Sequence, residues 1–179
     1  MPLPDPAALL SSFRASLPEA PQMGQDLVGK GAMIDGPFGP KPLVYADYVA
    51  SGRALRTLEM FMLEQVLPYY ANSHTEASFC GGYMTRLRSA ARATIAAHCG
   101  ASAEAHAVIF AGSGATAGIN RLVRLLGADQ GRVKVIIGPY EHHSNILPWR
   151  ESGAEVLELP EDTRGGPDLA ALDAALADA

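Results

Sequence analysis

Lysine is scarce in this 179-residue sequence: it occurs at Lys30, Lys41 and Lys134 and nowhere after Lys134. With the arginines dispersed along the chain, no basic stripe of the kind that follows a phosphate backbone is present, which argues against nucleic acid as a partner. Cysteine occurs twice, as Cys80 and Cys99. The pair has neither the spacing of metal ligands nor the density of a disulfide framework, so both are expected to be small buried hydrophobes in a reducing compartment. No apolar run reaches the length of a membrane span, and the start Met-Pro-Leu-Pro-Asp-Pro lacks a charged segment followed by an apolar one. No membrane partner and a cytoplasmic location are therefore expected. What remains is ordinary globular composition, 48% hydrophobic and 18% charged with a net charge of −5. A chain of this length buries roughly 70% of its unfolded surface.

The pattern along the chain separates an irregular arm, residues 1–42, from a more regular body, residues 43–179. In the arm, Asp5 is placed to cap a helix that opens at Pro6 and carries Leu9, Leu10, Phe13 and Leu17 on one face. Glycines and prolines then break residues 18–42, with a hairpin suggested around Gly36-Pro37-Phe38-Gly39. The body opens on a predicted strand, Leu43–Ala46, and a helix through Leu55, Leu58, Met62 and Val66 that Pro68 should stop. A polar stretch, Asn72 to Ser78, leads into a long helix ending near Gly100, on which Arg86, Arg88 and Arg92 read as a solvated face. From residue 106 the order alternates: strand Ala107–Phe110, helix 115–126, strand 133–137, helix 144–151, strand 155–159 and a helix from about Pro167. Nearly continuous apolar strands alternating with helices predict an α/β fold, a mostly parallel sheet covered by helices on both faces. Only three strong strands occur in series and the sequence stops within a helix at Asp178-Ala179, so a fragment of a larger domain is expected.

Chemistry concentrates where the first of these strands meets its helix, in Phe110-Ala111-Gly112-Ser113-Gly114-Ala115-Thr116-Ala117-Gly118-Ile119-Asn120. Small residues let the backbone approach a ligand, and the free N–H groups of a helix N-terminus attract an anion. A plain tight turn, a dinucleotide fingerprint, a serine nucleophile elbow and a phosphate cradle all compete for this run. The fingerprint wants an acid at the end of the next strand, and the elbow wants an acid and then a histidine further on. Neither is supplied, since Asp129 precedes that strand and no histidine follows His143. The next loop, Gly138 to Asn145, leaves the second strand at its carboxyl end, the ligand side of a parallel sheet. Its His142 and His143 have no third ligand at a metal-binding spacing, whereas a neutral imidazole there can stack on a planar ring. Trp149 reads as a packing anchor, and Lys134 as solvated at a strand start.

From about residue 40 to 179, four motifs in order resemble the N-terminal part of the pyridoxal-phosphate-dependent class V aminotransferases, a family that includes cysteine desulfurases. They are Tyr45-Ala46-Asp47, Asn72-Ser73-His74, Phe110 to Asn120, and Glu141-His142-His143. The resemblance implies a fold-type-I large domain and a homodimeric enzyme that performs transamination or carbon–sulfur cleavage on an amino acid. It further implies that Ser113, Gly114, Ala115 and Thr116 hold the cofactor phosphate, that His142 stacks on the pyridine ring, and that Asn72 and His74 lie on the substrate side. The sequence departs from the family in having Val49-Ala50-Ser51-Gly52-Arg53 where Ala-Thr-Thr or similar is usual. It also has no lysine after the Glu-His pair to form the Schiff base, and Asp162, Asp168, Asp173 and Asp178 come too early to pair with the ring nitrogen. A phosphate-binding remnant without catalysis is the alternative.

Overall fold

The computed structural model describes residues 5–102, 104–130 and 133–178. They fall into two compact units divided in sequence between Val108 and Ile109.

The first unit is mostly helical. Helix α1 (Pro6–Ser16) starts as its sequence predicts, with the Asp5 carboxylate accepting from the Ala7 N–H at 3.0 Å and Pro6 in the first turn, where no N–H is needed. Its Phe13 stacks on Phe61 of α3 (Arg56–Phe61), ring centroids 4.2 Å apart. Between them, a 3₁₀ turn at 20–22 and the short α2 (Met23–Asp26) precede a hairpin of β1 (Met33–Ile34) and β2 (Lys41–Pro42). These strands pair antiparallel, Met33 opposite Pro42 and Ile34 opposite Lys41, around a turn closed by Gly39 N–H to Gly36 C=O. The hairpin expected at Gly36–Gly39 is thus present.

The strand expected at Leu43–Ala46 is not. Leu43 N–H gives one further ladder bond to Ala32 C=O at 2.7 Å, after which the chain leaves the sheet. The Tyr45 hydroxyl instead gathers the following loop, lying 2.8 Å from the Ser51 carbonyl and 3.0 Å from that of Asp47. The next helix also departs from expectation. Regular α geometry ends at Phe61, before Pro68, and gives way to a π turn over Met62–Val66 in which Leu67 N–H reaches back five residues to Met62 C=O. A 3₁₀ turn, Leu67–Tyr69, follows and carries Pro68.

The long helix α4 (Phe79–His98) is capped by the Ser78 hydroxyl, which accepts from Gly81 N–H at 3.1 Å. Tyr83, 1% exposed, anchors it: the ring packs on Tyr69 and the hydroxyl donates to Gln65 C=O at 2.6 Å. Cys80 is half-buried and Cys99, at the helix C-cap, is exposed, which corrects the expectation that both are interior.

The second unit is α/β. Helix α5 (Gly114–Leu125) is followed by β3 (Lys134–Ile137), α6 (His143–Glu151), β4 (Glu155–Glu158) and α7 (Leu169–Ala177). Strands β3 and β4 pair in parallel, Val135 opposite Val156 and Ile136 opposite Leu157, with α6 as the crossover. Val123 of α5, Ala128 and Trp149 of α6 form the buried core, against which Ile119, Val135 and Val156 pack. Trp149 is therefore the anchor its sequence position suggested.

Among the described residues this parallel sheet has two strands, not three. Among the described residues Ala107–Phe110 is not a strand; within the first unit, the Val108 carbonyl accepts from Arg92 Nε at 3.2 Å. Lys134 also departs from expectation: its ammonium is bound by Asp178 at 3.2 Å and lies 3.8 Å from Glu155. The Asp178 hydrogen bond holds its pKa above the ordinary lysine value.

Candidate functional site

At the start of α5, two glycines hold positive-φ backbone conformations that other residues rarely adopt, Gly112 at φ +105° and Gly114 at φ +65°. Nothing lies within 4 Å of a Cβ built on Gly114, so the space in front of the helix end is open. Gly112 through Thr116 are exposed. Ser113 occupies the N-cap position, yet its hydroxyl makes no capping bond. The first-turn N–H groups, which no helix satisfies internally, thus face an open surface with a helix dipole behind them. Asn120 Nδ2 donates to Thr116 C=O at 2.9 Å and braces the first turn from one turn below. Ser113, Gly114, Ala115 and Thr116, singled out from sequence, are therefore together at one helix end. Ser113 has ordinary extended geometry, φ −80° and ψ 103°, without the strained turn that exposes the serine of a nucleophile elbow.

His142 sits at the corresponding end of α6, the helix that packs on α5. The chain arrives there because β3 ends at Ile137 and the loop Gly138–Glu141 carries it into the new helix. His142 is the N-cap residue, its Nδ1 accepting from the Ser144 N–H at 3.1 Å and lying 2.9 Å from the Ser144 hydroxyl. With Nδ1 so committed as an acceptor, the proton of the neutral ring belongs on Nε2. The ring of His143 meets that of His142 edge-on, centroids 6.1 Å apart.

Residues beyond the histidines fix this loop. Glu141 Oε2 accepts from Asn145 Nδ2 at 2.7 Å, and Asn145 Oδ1 accepts from the buried Trp149 Nε1 at 3.3 Å. Sequence reasoning passed over Asn145; the signal was its four-residue spacing from Trp149, which places the two on one face of α6. Tyr140, one residue earlier, is held above the usual phenol range by the nearby Glu161 carboxylate.

Asn72 and His74 belong to the first unit, in the exposed loop before α4. Helix α4 grips this loop through the arginines expected to be solvated: Arg86 pairs with Glu76 at 3.2 Å and Arg88 Nη1 donates to the Ser73 hydroxyl at 3.0 Å. Thr85 adds a bond to Thr75 C=O at 3.4 Å.

Comparison with known proteins matches residues 44–179 to the family described as Aminotransferase class-V. The chain is 29% identical over 142 residues to a cysteine desulfurase of Rhodobacter capsulatus, covering 77% of this chain and 36% of that protein. It is 30% identical over 141 residues to a cysteine desulfurase of an Enterobacter species, covering 75% of this chain and 34% of that protein. A third, from Serratia proteamaculans, is 31% identical over 138 residues, with 74% and 34% covered. The chain thus spans about a third of the length of these curated relatives. With the family matched over more than half of its residues, the chain belongs to the class V aminotransferases.

Proposed function

We propose that this chain supplies the phosphate- and ring-binding part of a fold-type-I, pyridoxal-phosphate-dependent enzyme that works on an amino acid as a cytoplasmic homodimer. Removal of sulfur or transfer of the amino group is the reaction class. The observation that carries the reading is the open N-terminus of α5, framed by Gly112 and Gly114 with the Ser113 hydroxyl uncommitted. Family membership supports the choice of cofactor. No described helix is long and apolar enough to cross a membrane.

The residues present suit that group at two of its parts. The Gly114, Ala115 and Thr116 N–H groups, with the hydroxyls of Ser113 and Thr116, form a donor set for a dianionic phosphate at the positive end of a helix. The His142 imidazole, fixed by its capping bonds, offers a flat face for a pyridine ring. When bound, pyridoxal phosphate supplies an electron sink for bonds broken at an amino acid's α-carbon. His142 would hold the plane of the ring, and its Nε2 proton would remain available as a donor. Within these 179 residues, no lysine follows His142 to take the place of the family's Schiff-base residue. The chain by itself is therefore expected to hold the cofactor non-covalently.

Titration of the purified chain with pyridoxal phosphate, followed by cofactor fluorescence, tests this. Thr116→Ala removes one hydroxyl bond to a charged group and should weaken binding by roughly 10- to 150-fold. Borohydride treatment should leave no stoichiometric adduct on any single lysine. Binding unaffected by changes at both Thr116 and Gly114, or one lysine labelled in full, would overturn the reading.

A further inference from the structure

The segment Val49–Arg53, where the sequence departs from its family, builds a second feature in the first unit. Arg53 Nη2 donates to Val28 C=O at 2.8 Å, and its guanidinium carbon lies 5.0 Å from the centroid of the Tyr45 ring. Three contacts hold the two walls of this seat. Val28 N–H donates to Ala54 C=O at 2.9 Å, Leu27 and Leu55 form an antiparallel bridge, and the Tyr45 hydroxyl is held by the carbonyl and hydroxyl of Ser51, each at 2.8 Å. Gly29 suits the turn, with φ +80°, and a Cβ there would lie 2.7 Å from Arg53 Nη2 and displace the guanidinium from this seat.

This held arginine lines a cavity of about 270 Å³ together with Lys30, Tyr48, Leu27 and Leu43. The lining includes two cations and no carboxylate. Neither Arg53 nor Lys30 takes part in an ion pair among the described residues. Docking of Arg53 on a carbonyl and an aromatic face fixes its direction without neutralising its charge, and a guanidinium so held is arranged to receive an oxyanion in a forked pair of bonds. The same lining includes Leu27, Leu43 and the Tyr48 ring, apolar surface of the kind that an uncharged body packs against.

We propose that this cavity is a binding site for a small organic anion, a carboxylate or phosphate ester whose charged head is taken by Arg53 and Lys30 and whose apolar body lies against Leu27, Leu43 and Tyr48. The site stands apart from the proposed cofactor contacts in its residues and in its ligand class, since it asks for an apolar body and supplies no helix end.

Amide and arginine side-chain NMR of the full 179-residue chain, titrated separately with benzoate, phenyl phosphate and inorganic phosphate, tests it. Saturable shifts at Gly29, Gly31 and the Arg53 Nε resonance are expected, with benzoate or phenyl phosphate binding more tightly than inorganic phosphate; which of the two wins tells a carboxylate site from a phosphate-ester site. Among the described residues the Lys30 side chain takes part in no ion pair that would be lost, so Lys30→Glu should leave the spectrum folded and weaken binding by roughly 10-fold or more. Arg53→Lys, which keeps charge but not the fork, should weaken it as well. No saturable binding of any probe, shifts confined to Gly112–Thr116, or affinity unchanged in Lys30→Glu would overturn the proposal.

Discussion

The Ser144 backbone N–H donates to His142 Nδ1 at 3.1 Å, so the residue assigned to the cofactor ring is also the N-cap of its own helix. Two roles in one side chain can be separated by substitution. His142→Ala should lose about 1 kcal/mol of stability with the cap, whereas His142→Asn, a good capping residue, should keep most of it. Neither variant offers an imidazole face, so pyridoxal phosphate should bind both more weakly than wild type. Thermal melts and cofactor titration on the three proteins check the split. Full cofactor affinity in His142→Asn would leave capping as the residue's only role.

Gly114→Ala should destabilise the second unit by about 1–2 kcal/mol, since the left-handed conformation at φ +65° is strained for any residue with a Cβ. Because the space around that Cβ is empty, the whole effect is conformational. Urea unfolding measures it, and phosphate affinity should fall alongside as the helix end rearranges.

Gly81→Ala is a steric test on the loop that carries His74. The new Cβ would lie 2.7 Å from Thr75 C=O, a backbone atom that moves only with its loop. A loss of about 1–3 kcal/mol is expected, despite the better helix propensity of alanine, and denaturant melts would register it.

In the second unit few side chains are fully buried, so each matters. Trp149→Ala should cost about 3–5 kcal/mol and release Asn145 and Glu141, while Trp149→Phe keeps most of the packing and loses only the bond to Asn145. Loss of near-ultraviolet ellipticity from α6 and the unfolding midpoint report the two effects.

The Lys134 pKa is raised by its bond to Asp178, and the direction fixes a pH dependence. A group whose pKa is higher folded than unfolded stabilises fully below the unfolded value, 10.5, and loses that contribution as pH rises through the folded value. Asp178→Asn should therefore lower the melting temperature slightly at neutral pH. The difference from wild type should vanish in strong alkali, as paired melts across that range would record.

Local signals carried much of the architecture. Asp5-Pro6 announces a helix start, and the Asp5 carboxylate accepts a first-turn N–H bond as read; Asp168, not singled out as a cap, does the same for α7. The glycines around Ser113 were equally legible, because the conformations that demand them lie within three residues. Features depending on distant partners were not. Ala107–Phe110 has the composition of a strand, but strand formation is decided by pairing with a segment distant in sequence, which composition does not encode. The seat of Arg53 was not legible, since its acceptor, Val28, lies 25 residues upstream. The break at Met62 escaped notice because Leu58, Met62 and Val66 keep four-residue spacing straight through it.

That break works as a phase shifter. A π turn is in effect a one-residue insertion in an α-helix, and it advances the side-chain direction by about a quarter turn or more. Just before it Phe61 meets α1, and within it Gln65 offers its carbonyl to Tyr83 of α4. One continuous rod thereby addresses two neighbours that a regular helix would meet along a single stripe. Removing a residue from Met62–Gln65 should restore regular helix and, with it, set these two attachments against each other, so the shortened chain could satisfy Phe13 or Tyr83 but not both.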